Sequence, residues 1–254
     1  MSFRFVKDRK GWRVLVTTNW QVEPATPDTT NGVIGVDFND GFVSVTELNR
    51  AGQKVWSDDW PYRTDIDSTS RQNKTQMQAL AKRLADLAKE VGKPVVIESL
   101  DFRRKKAGLQ KGQDKSHNRM LSALSYTAFR TALTMQCLKQ HVALVQVNPA
   151  YTSVIGRLKY ARETNFNTHQ AAAWVIARRG MGFRDKPPSR CTVRLNQRCR
   201  TFCPPEEGQK DEPASLNKLM KAFSAWVREQ LANDRRSALG ANLSSALLDD
   251  PLPF

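Results

Sequence analysis

The stretch Val33-Ile34-Gly35-Val36-Asp37-Phe38-Asn39-Asp40 decides the fold. Its apolar, β-branched run has the length of a strand buried on both faces, and Asp40-Gly41 followed by Phe42 to Leu48 signals a hairpin return. Asp37 closes that run. A carboxylate in such a strand is costly unless it is paired or binds a cation. A hydrogen bond to the turn would also account for Asp37 if it stood alone.

Outward from this strand, Gln53 to Trp60 forms the third member of an antiparallel meander, after the Asn49-Arg50-Ala51-Gly52 turn. Met77, Leu80, Ala81, Leu84, Leu87, Ala88 and Val91 then recur at spacings of three and four, with Gly92 as the stop, which predicts an amphipathic helix from Ser70. Val95-Val96-Ile97-Glu98-Ser99-Leu100 is a second apolar strand interrupted by an acid, so Glu98 repeats the oddity of Asp37. A second long helix is predicted from about Asn118 to Gln140, and Val142 to Val147 is another apolar strand, ending in an Asn148 to Ser153 loop. Thr168 is placed to cap a helix from His169 to Arg179, stopped by Gly180.

Three strands followed by alternating helices and strands build a mixed sheet with helices on its faces. This is the order of the ribonuclease H-like α/β fold, although strand order alone leaves several α/β folds open. The expected division is a β-hairpin and linker over 1–30, the sheet domain over 31–183, a loop and helical extension over 184–232, and a disordered tail over 233–254. Within the extension, 185–213 reads as loop and Leu216 to Leu231 as helix.

At 254 residues and 40% apolar content the chain can bury a core. No stretch approaches the roughly 18 consecutive apolar residues of a membrane span. The first residues lack the apolar segment of a secretion signal, and a cytoplasmic location is expected. Forty Lys and Arg against twenty-five Asp and Glu give a net charge of +15, an attractive field for a polyanion. Nucleic acid is the expected partner and membrane is not, because no basic amphipathic helix with a bulky apolar face is evident. The basic residues Arg103, Arg104, Lys105, Lys106, Lys111, Lys115 and Arg119, spaced by Gly108 and Gly112, predict a mobile loop for phosphate contacts. Tyr151, Tyr160 and Phe166 are candidates for stacking on unpaired bases or for core packing. Cys137 is a core position, and Cys191, Cys199 and Cys203 lack zinc-ribbon spacing and read as free thiols.

Asp37 and Glu98 lie on strands that this topology sets side by side, and close carboxylates favour a divalent cation between them. Oxygen ligands point to Mg2+ or Mn2+ rather than zinc, and two such ions, about 3.5–4 Å apart, would serve phosphodiester cleavage. A third ligand is expected at the start of the last core helix, where the sequence has His169. That histidine reads as a metal ligand, as a general base, or as a residue with no role in the site.

Together, Gly35-Val36-Asp37-Phe38-Asn39, Ile97-Glu98-Ser99-Leu100, Asn148 to Ser153 and His169-Gln170-Ala171-Ala172-Ala173 resemble the TnpB-like transposon-encoded proteins and the related type V CRISPR effectors, whose nuclease is a RuvC-like domain. The resemblance spans residues 33 to about 183. It implies a metal-dependent DNA endonuclease, RNA-guided and associated with transposition, with Asp37 as first acid, Glu98 as second, and His169 at the position of the third. The family has an Asp there. RuvC resolvases have a His at the corresponding motif, with an Asp three residues later, where this chain has Ala172. Asp101 and Asp185 are the acids that could substitute. The paired-cysteine ribbon of the family is missing, since Val154 to Asn167 contains no cysteine, and only about thirty residues precede the first motif. The resemblance therefore implies a compact or truncated relative, or one that works beside another subunit. A catalytically impaired nucleic-acid-binding regulator on the same fold and a Holliday-junction resolvase stand as alternatives.

Overall fold

The computed structural model describes residues 1–18, 23–63, 70–99, 113–160, 167–186, 188–195, 198–205 and 213–246. Strands β1 (Ser2–Asp8) and β2 (Gly11–Thr17) form the N-terminal hairpin. The central sheet contains β3 (Ile34–Phe38), β4 (Phe42–Leu48), β5 (Lys54–Pro61), β6 (Val95–Glu98) and β7 (Leu144–Val147) in the order β5-β4-β3-β6-β7. The meander β3-β4-β5 is antiparallel, while β6 joins β3 and β7 joins β6 in parallel. Two parallel additions to an antiparallel meander make this a ribonuclease H-like sheet, one of the α/β folds that the predicted element order allows.

Helix α1 (Ser70–Val91) connects β5 to β6, and α2 (Gln113–Gln140) connects β6 to β7. Gly92 ends α1 with φ at 65°, a conformation that only glycine adopts without penalty, and Lys93 N–H donates back to Ala88 O. Beyond β7 come α3 (Thr152–Lys159), α4 (Thr168–Gly180), the hairpin β8 (Cys191–Leu195) and β9 (Arg198–Phe202), and α5 (Pro213–Ala246).

Alternation along the strands sends successive side chains to opposite faces. One face carries Ile34, Val36, Val43, Val45, Val95 and Ile97 against Met77, Leu84 and Ala88 of α1 and Phe129, Leu133 and Cys137 of α2. The other carries Val33, Leu48 and Val96 against Ile155 and Leu158 of α3 and Trp174, Val175 and Ile176 of α4. The α4 face is also the one on which Asp37 and Glu98 stand, since both keep the parity of Gly35 and Val96.

Close approach of α4 to β3 depends on small residues. A Cβ on Gly35 would lie 2.2 Å from Ala173 O and 2.6 Å from the Cβ of Ala177. The Ala171-Ala172-Ala173 run, fully buried, therefore lets the helix axis settle directly on the strand that ends in Asp37.

Several expectations change. The 185–213 segment contains the β8–β9 hairpin rather than loop alone, and Cys191, Val193, Leu195 and Phe202 join the α4-side core. The extension is part of the same core, because Leu216, Leu219 and Phe223 of α5 pack there too. Helix α5 continues to Ala246, through much of the stretch expected as a disordered tail; residues 247–254 lie outside the described residues. Thr152 opens a helix where a loop was predicted, and α2 begins at Gln113. Lys115 and Arg119 therefore belong to a helix and not to a mobile loop. Arg103, Arg104, Lys105, Lys106, Lys111 and Asp101 lie outside the described residues, as does Phe166. The four cysteines form no disulfide, with Cys137 and Cys191 buried and Cys199 and Cys203 exposed. No helix among the described residues is long and apolar enough to cross a membrane.

Candidate functional site

Asp37, the penultimate residue of β3, and Glu98, the last of β6, stand at the same level. The parallel register pairs Ile34 with Val95, Gly35 with Val96 and Val36 with Ile97, so one residue further Asp37 stands beside Glu98. Neighbouring strands lie about 4.8 Å apart, which puts the two side chains within one small ligand's reach at the carboxyl end of the sheet. Burial of Asp37 there, beside a partly buried Glu98, has a physical cost that the packing alone does not explain.

Each acid is held by its own partner. Asp37, only 7% exposed, accepts a hydrogen bond at Oδ2 from Asn39 Nδ2 at 3.1 Å, and the same amide donates to the Asp37 carbonyl at 3.2 Å. The turn after β3 thus does bind the acid. Glu98 accepts at Oε1 from the buried Thr152 hydroxyl at 2.5 Å, a charge-assisted bond from the first residue of α3. Its carbonyl accepts from the Tyr126 hydroxyl of α2. Phe38, on the opposite face, packs on Tyr62, Tyr126 and Phe129 at centroid distances of 5.4, 5.6 and 5.1 Å, which fixes the strand ends from below.

His169 reaches the same place from the N-terminus of α4. Its Nδ1 lies 3.3 Å from Asp37 Oδ2, and its ring meets Phe42 edge-on at 5.1 Å between centroids. The hydrogen bond to Asp37 raises the pKa of the ring above its ordinary value; burial opposes this, and the charges of Asp37 and Asp59 add to the rise. The cap of α4 is Asn167 and not Thr168: Asn167 Oδ1 accepts from the backbone N–H of His169 at 2.9 Å and of Gln170 at 2.8 Å. Thr168 is the first helical residue.

Two further polar residues were not anticipated from sequence. Ser44 stands opposite Asp37 in the β3–β4 register and Asp59 stands opposite Ser44 in the β4–β5 register, so Asp59, Ser44, Asp37 and Glu98 form one row across four strands. The Ser44 hydroxyl, fully buried, donates to Asp59 Oδ1 at 2.6 Å. Asp59 lies in an unremarkable polar strand, and only its register with Ser44 singles it out.

Asp185 does not take the third acid's place. It is buried with Lys159 Nζ at 2.6 Å, the Tyr160 hydroxyl at 2.7 Å and Arg178 Nε at 3.0 Å, all donating to it. Burial pushes its carboxyl up, but these donors together outweigh burial and hold it below the usual carboxylate range. Tyr160 is spent in this network and stacks on Trp174 at 4.3 Å. Tyr151 has φ at 65° and is half-buried against the α4-side core.

The donor set fits a divalent cation at the acid pair and fits it poorly at His169. Two adjacent carboxylates are hard oxygen ligands of the kind magnesium and manganese select. A ring whose Nδ1 is directed at Asp37 Oδ2 at 3.3 Å engages the carboxylate oxygen that a shared cation would use. Among the described residues no group of three or more His, Cys, Asp or Glu is arranged to hold a metal ion. Of the three predicted ligands, His169 meets Asp37 directly and Glu98 stands beside Asp37 in register, without forming the expected two-ion ligand set.

No family model matches the chain, and no curated protein matches it. Among solved structures, T. thermophilus RuvC in complex with a Holliday junction substrate is similar at 13% identity, over 57% of this chain and 88% of that one, with a TM-score of 0.40. Another structure of Thermus thermophilus RuvC is similar at 14% identity, over 59% of this chain and 96% of that one, with a TM-score of 0.38.

Proposed function

We propose that this chain is a divalent-metal-dependent DNA endonuclease of the TnpB-like class, associated with transposition and guided by RNA, with Asp37 and Glu98 as its acids. The observation that supports it is the β3–β6 register, which brings two carboxylates from separate strands to one level at the carboxyl end of a ribonuclease H-like sheet. A magnesium or manganese ion held there would supply the activated water and the Lewis acidity of phosphodiester cleavage. Asn39 and Thr152 orient the two acids, and His169 is an electrostatic partner of Asp37 rather than a third ligand. The +15 charge attracts the nucleic acid, with Arg103, Arg104, Lys105, Lys106, Lys111, Lys115, Arg119 and Tyr151 as candidate contacts.

The test incubates the protein, with and without its co-purifying RNA, with duplex, single-stranded and four-way-junction DNA in Mg2+ or Mn2+. Cutting by wild type that disappears in Asp37→Asn and Glu98→Gln supports the proposal. No cutting by any wild-type preparation overturns it, and a strong preference for the four-way junction without RNA would make the chain a resolvase.

One observation favours a second reading. An imidazole drawn onto Asp37 at 3.3 Å counters the charge that a cation would otherwise balance, as expected of a non-cleaving nucleic-acid-binding regulator. Under that reading wild type binds DNA or RNA without cutting it, and His169→Asp creates metal-dependent cutting.

A further inference from the structure

We infer that Asp59, on the edge strand β5, is a positioning residue that holds His169 against Asp37 through the amide of Asn167. The inference deepens the nuclease reading, on which its cleavage measurement alone rests.

The connection is continuous. Asp59 Oδ1 accepts from the Ser44 hydroxyl at 2.6 Å, and its Oδ2 accepts from Asn167 Nδ2. With its amide nitrogen committed to Asp59, Asn167 turns Oδ1 toward the helix, where it accepts from the backbone of His169 and Gln170. The other end of this first turn is tied to the sheet as well, because the Thr46 hydroxyl donates to Gln170 O at 3.1 Å. His169 is thus carried by a helix end fastened to β4 and β5, while its ring meets Asp37 on β3 and Phe42 on β4.

A cap needs only the oxygen of Asn167, and Asp caps a helix as well as Asn does. The nitrogen end is therefore free to carry a second task, and the structure gives it one. Asp59 also places a negative charge near the positive end of α4, which favours the helix end that bears His169.

The polarity of the Asp59–Asn167 contact makes it testable by exchange. Asn167→Asp keeps the cap but sets two carboxylates face to face; Asp59→Asn keeps the acceptor for Ser44 but sets two amide donors face to face. The double variant Asp59→Asn/Asn167→Asp restores a donor opposite an acceptor. The primary readout is the nuclear Overhauser contact between the His169 and Phe42 rings, together with hydrogen exchange at the His169 and Gln170 amides. Each single variant is expected to weaken the ring contact at least twofold while the amides stay protected, and the double variant is expected to recover it. If one single variant fails to fold, the other and the exchanged pair still decide the matter. An unchanged ring contact in a folded single variant overturns the inference, as does a folded double variant that recovers nothing. Metal-dependent cleavage at limiting Mn2+ should rise about twofold in the singles, whose loosened ring competes less with the cation for Asp37, and return to the wild-type rate in the double. Ring contacts that follow this pattern in proteins that never cut DNA would uphold the positioning role and overturn the nuclease reading separately.

Discussion

Asp37 Oδ2 lies 3.3 Å from Nδ1 of His169, a contact that spans 132 positions in sequence and joins the central strand to the last core helix. Both residues were expected near one cation. Their contact instead engages the Asp37 carboxylate from within the chain.

Replacing His169 by Asp should remove that contact. The variant adds a third acid where an imidazole stood, so its affinity for Mn2+ should rise by about tenfold or more, as titration calorimetry can measure. Wild-type affinity equal to that of the variant would show that His169 does not compete with the ion.

Removing either acid should abolish any cleavage without unfolding the sheet. Asp37→Asn and Glu98→Gln keep the shape and much of the hydrogen bonding at Asn39 and Thr152, and a loss of at least about 100-fold in rate corresponds to roughly 3 kcal/mol of barrier. Single-turnover cleavage rates at saturating metal give the comparison. Equal loss of thermal stability and of rate would mean the acids are structural.

The His169 contact also predicts a pH dependence in metal-free protein. An ordinary histidine titrates near about 6.5, and the contact with Asp37 raises the folded value. Below about 6.5 the ring is charged in both folded and unfolded chains and its contribution is fully present; it is lost as pH rises through the folded value. Urea midpoints measured in chelator should therefore decline over that interval, and Asp37→Asn should remove the decline. With only three histidines in the chain, His117, His141 and His169, the assignment is tractable.

Gly35→Ala tests how closely α4 must lie on β3. The added methyl would meet Ala173 O at 2.2 Å and the Cβ of Ala177 at 2.6 Å, contacts with backbone and a short side chain that cannot swing away. A loss of about 1–3 kcal/mol, read as a lower urea midpoint, is the expected scale of such overpacking. An unchanged midpoint would mean that α4 shifts freely.

Nucleic-acid binding should be steeply salt-dependent. Changing Arg103, Arg104, Lys105 and Lys106 to Gln is expected to reduce the slope of log affinity against log salt for duplex DNA by roughly 3 to 4, if each side chain meets one phosphate. A slope that stays the same would identify these residues as solvated and not bound.

Much of the architecture was legible in the residues themselves. The period of α1, its Gly92 stop and the apolar runs ending in Asp37 and Glu98 are local signals, and burial on both faces leaves a strand little choice of residue type. The weaker patterns misled: Cys191 to Phe202 contains charged residues that hid a hairpin, and its apolar members Cys191, Val193 and Leu195 make sense only against α3, α4 and α5. The predicted cap at Thr168 missed by one residue because Asn and Thr are both good caps, and only backbone geometry distinguishes them.

By itself the sequence determined that two acids end two buried strands and that the helix beginning near His169 belongs to the same core. Those facts follow from hydrophobic pattern, which acts over a few residues. Only the tertiary structure decided what the polar groups do to one another. Register across β5, β4, β3 and β6 aligned Asp59, Ser44, Asp37 and Glu98, and the seating of α4 on Gly35 set His169 on Asp37 while Asp185 went to Lys159, Tyr160 and Arg178. Hydrogen bonds and ion pairs depend on ångström distances between residues far apart in the chain, and no local pattern encodes those distances.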